Sequence, residues 1–551
     1  MASDVVISGP EPSASTLPVT RRFSWQMAAL LLIVLLFGLV RWRLADIPLE
    51  RDEGEYAYAG QLMLQHIPPY KFAYNMKLPG TYAAYAALMA IFGETPQGIH
   101  IGVLLINAVT VILIYFLASR LLGSTGGIVA AASYGLLSTH QTTLGFAGHA
   151  THFVVIFAVA GLIVLLQSIQ QERLLLLFLS GILFGLAFLM KQPGVFFGMF
   201  AFIYLVFCYL KRPVTDWDLT AKVCGIFVVG CAAPFALTCL ILWSAGVFSN
   251  FWFWTFSYAR QYSSLVKLKD GWDLFTFNFL PMFYAAPALW IISLIGLTAF
   301  VWHAPLRRRA VLIIGLLTFS FLAVSSGLYF RTHYFIMLLP AISLLAATAV
   351  ASAVSLLKAK QMKPWLPTLP IIVFFLGWGW AIVNNATFYF RLTPVQACRV
   401  VYKNSPFIEA IPVAQYLQQH TSATDTLAVL GSEPEIFFYA HRKSASGYIY
   451  VYALMENQPY WQRMQKQMID EIETNRPEYL IYSNHPATWL TTMGSSRMAP
   501  FMNWASAYIK NNYEEVGLVE LADPESHFNW GEQSGHMKAQ TQFYLGIYKR
   551  K

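Results

Sequence analysis

Apolar runs of about 20 residues, the length that crosses a bilayer as a helix, recur along the first 385 residues and then stop. Only 12% of the 551 residues are charged and 57% are hydrophobic, whereas roughly 25% of the residues in a soluble domain are charged. These two features predict a polytopic α-helical membrane domain that is followed by a soluble C-terminal part.

Composition divides the chain into four segments. Residues 1–22 are rich in Pro, Ser and Thr and lack an apolar pattern, so we expect a disordered cytoplasmic leader. Residues 23–385 form the membrane domain, 386–404 a linker, and 405–551 a domain outside the membrane. The first apolar run has no small-residue cleavage site after it, which indicates a retained helix and not a signal peptide.

Basic residues set the orientation of the helices, because Lys and Arg collect in cytoplasmic loops. Arg21 and Arg22 precede the first run and place the N-terminus in the cytoplasm. Residues 78–93 are apolar but short, so we treat them as a helix at the outer interface. Every basic short loop except that at Lys191 is then cytoplasmic. This register predicts about eleven crossings, or thirteen if two short runs have been merged, with the C-terminal domain extracytoplasmic and the bacterial plasma membrane as the location.

The net charge of +9 is explained by the cytoplasmic loops and does not indicate a nucleic-acid partner. Four of the five cysteines lie in apolar runs and the fifth stands alone, so no disulfide framework is predicted. No P-loop, GxGxxG or zinc signature occurs, which excludes a recognisable nucleotide cofactor site.

An acidic cluster follows the first helix in "DIPLERDEGEYAYAG", residues 46–60. Asp52 and Glu53 are adjacent and point about 100° apart on a helix, whereas Asp52 and Glu55 share a face. A partly desolvated carboxylate there is a candidate general base. The alternative is that the acids simply occupy the first turn of an interfacial helix, where the helix dipole favours them.

Three cations lie on the same outer face: Lys77, Arg260 and Arg331. Lys and Arg at a membrane surface bind phosphate, although each of them could instead snorkel toward lipid headgroups. His333 and Tyr334, beside Arg331, are candidate contacts to a phosphate or hydroxyl group.

Two further features leave their alternatives open. His149 and His152 have a spacing that can bind metal, but no third ligand is evident, so no metal site is predicted and a divalent ion stays an alternative. Tyr258 belongs to the aromatic segment 251–262, which an interfacial aromatic belt explains as well as a substrate site does.

Taken in order, "RDEGEYAYAGQ", "NMKLPGTYAAYAALMAIFG", "ASRLLGSTGGIVAAASYGL", "GILFGLAFLMKQPG" and "RTHYFIMLLPAISLLAA" form a recognisable series. This series resembles the GT-C superfamily of membrane glycosyltransferases, and specifically glycosyltransferase family 39. That group includes the protein O-mannosyltransferases and the aminoarabinose transferases that modify lipid A. The resemblance covers roughly residues 23–385.

The resemblance implies an inverting transfer from a polyprenyl-phosphate-linked sugar to a lipid, glycan or protein acceptor outside the membrane. It implies that Asp52 is the catalytic base with Glu53 as its partner, that Lys77 in "KLPG" holds the donor phosphate, and that Arg331 belongs to a basic-aromatic turn of the site. Arg260 is added as a phosphate contact from its position on the outer face. Met76 stands where several members carry a Glu, so a metal or acceptor contact through that Glu is in doubt. The expected substrate contacts are those of Tyr56, Tyr258, His333 and Tyr334.

The C-terminal segment alternates strand-like and helix-like stretches, which predicts a small α/β domain with a mostly parallel sheet. It carries no cofactor fingerprint, and we expect it to cap the site or present the acceptor.

Two other functions were weighed. A transporter or flippase for a lipid-linked sugar is the alternative, but no internal repeat is visible. An oligosaccharyltransferase of the same superfamily is less favoured because the Trp-Trp-Asp acceptor motif is absent.

Overall fold

The computed structural model describes residues 25–490, 495–522, 525–531 and 539–551, so the predicted leader 1–22 lies outside the described residues. The membrane part is helical because a helix satisfies all of its backbone hydrogen bonds internally, as lipid requires. Its helices are α1 Trp25–Arg43, α2 Arg51–Leu64, α3 Pro79–Phe92, α4 Pro96–Leu137, α5 Ala150–Gln171, α6 Leu174–Met190, α7 Val195–Leu210, α8 Trp217–Ser244, α9 Phe248–Trp252, α10 Ala259–Ser263, α11 Leu268–Ala285, α12 Pro287–Trp302, α13 Ala310–Ser325, α14 Leu339–Ala359 and α15 Leu369–Asn384.

Helix α4 corresponds to two of the predicted crossings. Gly123 interrupts it with φ 78° and ψ 174°, a backbone conformation that favours glycine. Seven described helices are long and apolar enough to cross a membrane, and the pair α11 and α12, bent by 103°, would make eight. The predicted number of crossings therefore stays a prediction, while the polytopic helical fold is confirmed.

The segment 248–280, which includes the aromatic segment 251–262, contains α9, a π-helix at Phe253–Tyr258, α10 and the first part of α11. Helix α6 packs against α5 and α8, and α14 against α4 and α12. Large apolar side chains on α8 and α15 stay exposed, as lipid-facing helices require.

The C-terminal part begins within the predicted linker, where a π-helix spans Thr387–Arg391. Its helices are α16 Pro394–Tyr402, α17 Ala410–His420, α18 Glu435–Ala440, α19 Tyr452–Met455, α20 Trp461–Asn475, α21 Pro486–Trp489 and α22 Met498–Asn512. Its strands are β1 Thr426–Leu430, β2 Lys443–Ser444, β3 Tyr479–Asn484, β4 Tyr513–Glu520, β5 His527–Trp530 and β6 Tyr544–Arg550.

The α/β character of this domain is confirmed, but the prediction of a mostly parallel sheet is wrong. The strand order is β2-β1-β3-β6-β4-β5, and only the pairings of β1 with β2 and with β3 are parallel. The other three pairings are antiparallel. Strand β6 inserts between β3 and β4, and in the described part of residues 513–550 no helix lies between β4, β5 and β6, as is typical of antiparallel neighbours.

The C-terminal domain docks directly onto α2. A Cβ atom at Gly54 would lie 2.7 Å from the backbone nitrogen of Glu435 at the start of α18, so only glycine permits this approach. The Leu49 backbone N–H donates to the hydroxyl of Tyr439 at 2.8 Å, and Arg51 donates to Glu433 at 3.4 Å. The two parts of the chain therefore meet at the acidic cluster.

Candidate active site

A cavity of about 970 Å³ lies between α2, the turn before α3, the turn at residues 191–194, the segment 254–263, the loop 326–334 and the C-terminal domain. Eight of the nine site residues expected from the sequence line it, namely Asp52, Tyr56, Lys77, Tyr258, Arg260, Arg331, His333 and Tyr334. The ninth, Glu53, does not.

Glu50 and Glu53 fix where α2 begins. The Glu53 N–H donates to Glu50 Oε1 at 3.2 Å, and the Glu50 N–H donates to Glu53 Oε2 at 3.4 Å, which forms a capping box. This reciprocal cap explains the local sequence, because it holds the first turn of α2 and with it Asp52 at the cavity wall. Glu50 and Glu53 therefore have a structural role at the start of α2, as the non-catalytic alternative for the acidic cluster predicts.

Glu53 is buried behind the cavity, with a side chain only 1% exposed. Its Oε1 accepts hydrogen bonds from His100 Nε2 at 2.9 Å and from the Gly148 N–H. Burial would raise the pKa of Glu53, but His100 and these hydrogen bonds lower it below its usual value. The structure therefore gives Glu53 a supporting position and no access to substrate.

Asp52 and Glu55 share a face of α2 and both bind Lys77. Lys77 Nζ lies 2.7 Å from Asp52 Oδ1 and 2.6 Å from Glu55 Oε2. The Glu55 side chain is completely buried, whereas that of Asp52 is 23% exposed and opens on the cavity. Glu55, which the sequence left without a role, thus anchors Lys77, and the i, i+3 spacing was the signal for it.

Asp52 is held in its ionised form. Burial would raise its pKa, but the charge and the hydrogen bond of Lys77 hold the pKa of this carboxyl well below its usual range. Its second oxygen, Oδ2, is 3.8 Å from His333 Nε2 and accepts no hydrogen bond from the described residues. This oxygen is therefore the one that can accept a proton from a substrate.

The C-terminal domain supplies part of the cavity wall. The Tyr450 hydroxyl donates to Asp52 Oδ1 at 2.9 Å, and Tyr452 and Glu456 also line the cavity. Glu456 accepts a hydrogen bond from the Tyr258 hydroxyl, which ties the aromatic segment to this domain. Sequence reasoning missed these contacts because they join residues about 200 and 400 positions apart.

Lys191, Arg331 and Arg260 form a second set of groups in the wall. Among the described residues, none of them has a carboxylate oxygen within 4.0 Å. Lys191 Nζ lies 4.1 Å from the centre of the Tyr334 ring. Burial, together with Lys77 and Arg331, lowers the pKa of Lys191 to about 7, although Asp52 opposes this shift.

The rings of His149 and His333 stack with centroids 4.1 Å apart. Neither nitrogen of the buried His149 ring has a hydrogen-bond partner in the described part of the chain. Burial lowers the pKa of His149 to about 4, so the ring is neutral near pH 7. His152 instead contacts the Gly145 carbonyl at 2.9 Å and does not line the cavity.

Asp52, His149 and His333 offer ligand atoms within 4.8 Å of one another, a set that could hold a metal ion. Lys77 binds the same carboxylate, and Lys191 and Arg331 both act on His333 electrostatically. The positive charge of Lys77 on this carboxylate and that of Arg331 near His333 disfavour a further cation.

A second cavity, an apolar groove of about 420 Å³, lies between α6, α7 and α8. Its walls are almost entirely hydrophobic and include Phe184, Phe202 and Phe227. Phe188 and Val195 line both the groove and the larger cavity. The polar site and the apolar groove therefore adjoin at the turn between α6 and α7.

Residues 77–237 match the model of a protein family described as dolichyl-phosphate-mannose-protein mannosyltransferase. No curated protein sequence matches the chain.

Two solved structures share the fold. ArnT from Cupriavidus metallidurans, bound to undecaprenyl phosphate, is 14% identical with a TM-score of 0.57, and the match covers 96% of this chain and 98% of that one. The archaeal oligosaccharyltransferase AglB from Archaeoglobus fulgidus, in complex with an inhibitory peptide and a dolichol-phosphate, is 13% identical with a TM-score of 0.52. That match covers 94% of this chain and 75% of the other. The family match and the shared fold confirm the resemblance to GT-C glycosyltransferases, and the transporter alternative is not favoured.

Proposed function

We propose that the chain is a membrane glycosyltransferase of the GT-C superfamily, and that it moves a sugar from a polyprenyl-phosphate-linked donor to an acceptor on the extracytoplasmic side of the membrane. The acceptor class comprises lipids, glycans and proteins. The proposal includes a cytoplasmic N-terminus, an extracytoplasmic C-terminal domain and the bacterial plasma membrane as the location, as the distribution of basic loops predicts.

The observation that carries the proposal is the junction between the polar cavity and the apolar groove. A polyprenyl-phosphate sugar has one charged end and one long hydrocarbon end. The cavity offers cations and hydrogen-bonding groups, while the groove offers aromatic and aliphatic side chains that favour hydrocarbon. Relatives of the same fold hold undecaprenyl phosphate or dolichol phosphate.

The reaction requires few catalytic groups, because the donor already carries a good leaving group. The acceptor oxygen or nitrogen attacks the anomeric carbon and forms the new glycosidic bond, while the bond from that carbon to the phosphate oxygen breaks. The bonding electrons leave with the phosphate, which departs as polyprenyl phosphate, and the acceptor proton passes to a base. Positioning and charge stabilisation supply most of the acceleration.

Asp52 is the group we assign as this base. It is ionised and therefore ready to accept a proton, and its free oxygen opens on the cavity. A single attack from the side away from the phosphate inverts the anomeric centre. Because general base catalysis contributes about 10²- to 10⁴-fold to a rate, removal of the carboxylate charge should reduce transfer by a factor in that range.

The test is a transfer assay with purified protein in lipid, radiolabelled polyprenyl-phosphate sugars and extracted membranes as acceptor. We expect Asp52→Asn to lose at least about 100-fold of the transfer rate while it folds and binds lipid as the wild type does. Undiminished transfer by this variant would remove Asp52 from the mechanism, and wild-type protein that transfers none of the sugars would count against the proposed function.

Membrane orientation is tested separately with single cysteines. One cysteine replaces the exposed Asp46, near Glu50, and another lies in "HAPLRRR", residues 303–309. An impermeant thiol reagent added from outside should label only the first. Labelling of both positions from the same side would contradict the topology.

A further inference from the structure

Two acids of the C-terminal domain are buried beside α2 but outside the cavity. Glu433 and Glu435 are both 0% exposed, and neither lines the cavity. Glu433 accepts hydrogen bonds from Arg51 at 3.4 Å and from Thr488 at 2.8 Å. In contrast, neither oxygen of Glu435 accepts a hydrogen bond from another residue in the described part of the chain. Glu435 is thus a fully buried acid that the proposed reaction does not use.

A single arginine lies beside these two acids, so only one of them can keep its charge at low cost. Arg51 donates to Glu433 and to the Ser432 carbonyl. A buried carboxylate without such a partner is costly, whereas the neutral acid costs far less. Burial and the nearby Glu433 raise the pKa of Glu435 well above its usual value, although Arg51 opposes this shift. Docking of the C-terminal domain therefore favours the neutral form of Glu435.

The elements around Glu435 supply few charges that could change this balance. Their titratable groups are Arg51 and Glu53 of α2, Cys398 of α16, Glu409 at the start of α17, and Glu433 and Tyr439 of the segment that contains Glu435. Glu53 is paired with His100, and Glu409 with Arg399. Arg51 is the cation of this set, and its charge is shared with Glu433.

Contact between the two parts of the chain encloses the Glu435 side chain. A Cβ atom at Gly54 would lie 2.7 Å from both the Cβ and the backbone nitrogen of Glu435, so the backbone of α2 lies directly against this residue. The most direct way for water to reach the carboxyl group is a separation of α2 from α18. Because a carboxylate is far more stable in water than in a buried site, ionisation of Glu435 favours that separation.

The same docking contact holds the tyrosine that reaches the proposed base. Asp52 is two residues before Gly54 on α2, and the Tyr450 hydroxyl donates to Asp52 Oδ1 at 2.9 Å. The Ser444 N–H donates to the hydroxyl of Tyr58, also on α2, at 2.8 Å. The C-terminal domain therefore contacts one helix at several points. Its movement away from α2 would break the Tyr450 contact and open one wall of the cavity.

We propose that Glu435 in its neutral form positions the C-terminal domain on α2, and that loss of its proton releases the domain together with the Tyr450 contact to Asp52. Glu435 is a positioning residue in this arrangement, because it does not line the cavity. The docking role goes beyond the proposed function, and only its effect on sugar transfer rests on that function.

The sign of the pH dependence follows from the raised pKa of Glu435. The docked state binds the proton more tightly than the released state, so docking is strongest below about pH 4.5, the ordinary pKa of this acid. Above that value the docking equilibrium constant should fall by up to about tenfold per pH unit, until the pH passes the raised pKa.

The docking equilibrium is measured by double electron–electron resonance on full-length protein in lipid nanodiscs, from about pH 5 to about pH 9. Nitroxides are attached through p-acetylphenylalanine at two exposed positions, Gln97 at the start of α4 and Lys510 on α22, which leaves the native cysteines unchanged. The wild type should show one distance near pH 5 and a second population that grows as the pH rises. Glu435→Gln should keep the first distance at every pH, because its amide cannot ionise.

Two further variants make this measurement decisive. Glu435→Met is a second uncharged side chain of similar length and should behave as Glu435→Gln does. Glu514→Gln is the matched control, because it removes an exposed carboxyl group of the same domain, on β4, and it should follow the wild type at every pH. A wild-type distance that does not change over the whole range would overturn the proposal, as would a change that persists in both Glu435 variants.

The transfer assay gives an independent readout of the same event. The wild-type rate should fall on the alkaline side in step with the released fraction, whereas Glu435→Gln should keep its rate there. A merely structural role of Glu435 would instead lower the rate of the variant by the same factor at every pH, and that result would overturn the proposal. Protein whose distances respond to pH through Glu435 but that transfers no sugar would contradict the proposed function and leave the docking role standing.

Discussion

Lys77 and Lys191 line the same cavity but have opposite surroundings. Lys77 is fixed between two carboxyl groups of α2, whereas Lys191 faces other cations and an aromatic ring. A paired lysine keeps the carboxylate beside it ionised and oriented, and an unpaired lysine is available for an anionic substrate. Lys77 therefore holds Asp52 in place, whereas Lys191 has no carboxylate partner among the described residues.

Removal of the paired lysine should have the largest effect on the rate. We expect Lys77→Met to lower kcat by about 100-fold or more, because Asp52 loses both its orientation and the charge that depresses its pKa. With that pKa raised, kcat/KM of the variant should fall as the pH drops toward 5, where the wild type stays flat. The measurement is a pH profile of transfer in both proteins.

Lys77→Arg keeps the positive charge and serves as the control for this change. It should recover part of kcat and restore the flat acid side of the profile. If the pH profile of Lys77→Met had the same shape as that of the wild type, it would contradict the role of Lys77 in keeping Asp52 ionised.

Tyr450 tests whether the C-terminal domain acts on Asp52. Tyr450→Phe removes one hydrogen bond to an ionised acceptor, worth about 1.5 kcal/mol, so kcat should fall roughly tenfold while the affinity for undecaprenyl phosphate is unchanged. Tyr448→Phe is the matched control, because Tyr448 donates to Gln467 and not to Asp52. A loss confined to lipid affinity would contradict a role on the paired side of the cavity.

Glu53 and its neighbour Asp52 are expected to affect different properties, stability for Glu53 and the transfer rate for Asp52. Glu53→Gln weakens the bonds to His100 and Gly148, so we expect the free energy of unfolding to fall by about 2 kcal/mol, whereas transfer per folded molecule changes less than about threefold. Thermal unfolding and the transfer assay check the two halves of this prediction. A rate loss as large as that of Asp52→Asn would restore Glu53 as a catalytic partner.

The smallest effect concerns metal ions. The cations around Asp52, His149 and His333 disfavour another positive ion, so we expect treatment with EDTA and then dialysis to leave the transfer rate unchanged. If the rate is lost, is recovered when Zn²⁺ or Mn²⁺ is added, and is not recovered in His149→Gln, that cluster binds a metal ion.

Local sequence patterns predicted the helical membrane domain and identified most of the residues that line the cavity. Asp52, Lys77 and Arg331 could be found because the apolar runs predict the order of the membrane crossings. That order places the three residues on the same side of the membrane. Lys191 was visible only as a topological exception. Whether Lys191 has a carboxylate partner depends on which acidic residues the fold places near it, and the spacing along the chain does not predict this.

The C-terminal contribution could not be predicted for a related physical reason. Tyr450 is 398 residues from Asp52 in sequence, and no local periodicity records a contact over such a separation. The sheet was predicted as mostly parallel from its alternating elements, yet the position of β6 between β3 and β4 depends on long-range pairing. Chain topology, not residue type, decided both outcomes.

The hydrogen bond from Tyr450 also sets an order of events during biosynthesis. Asp52 emerges early from the ribosome, but its third polar partner is made about 400 residues later and must fold before it can reach α2. A nascent chain that has inserted all of its membrane helices still has an open, incompletely assembled site. Assembly of the polar site is therefore completed only when the C-terminal domain has been made and has folded.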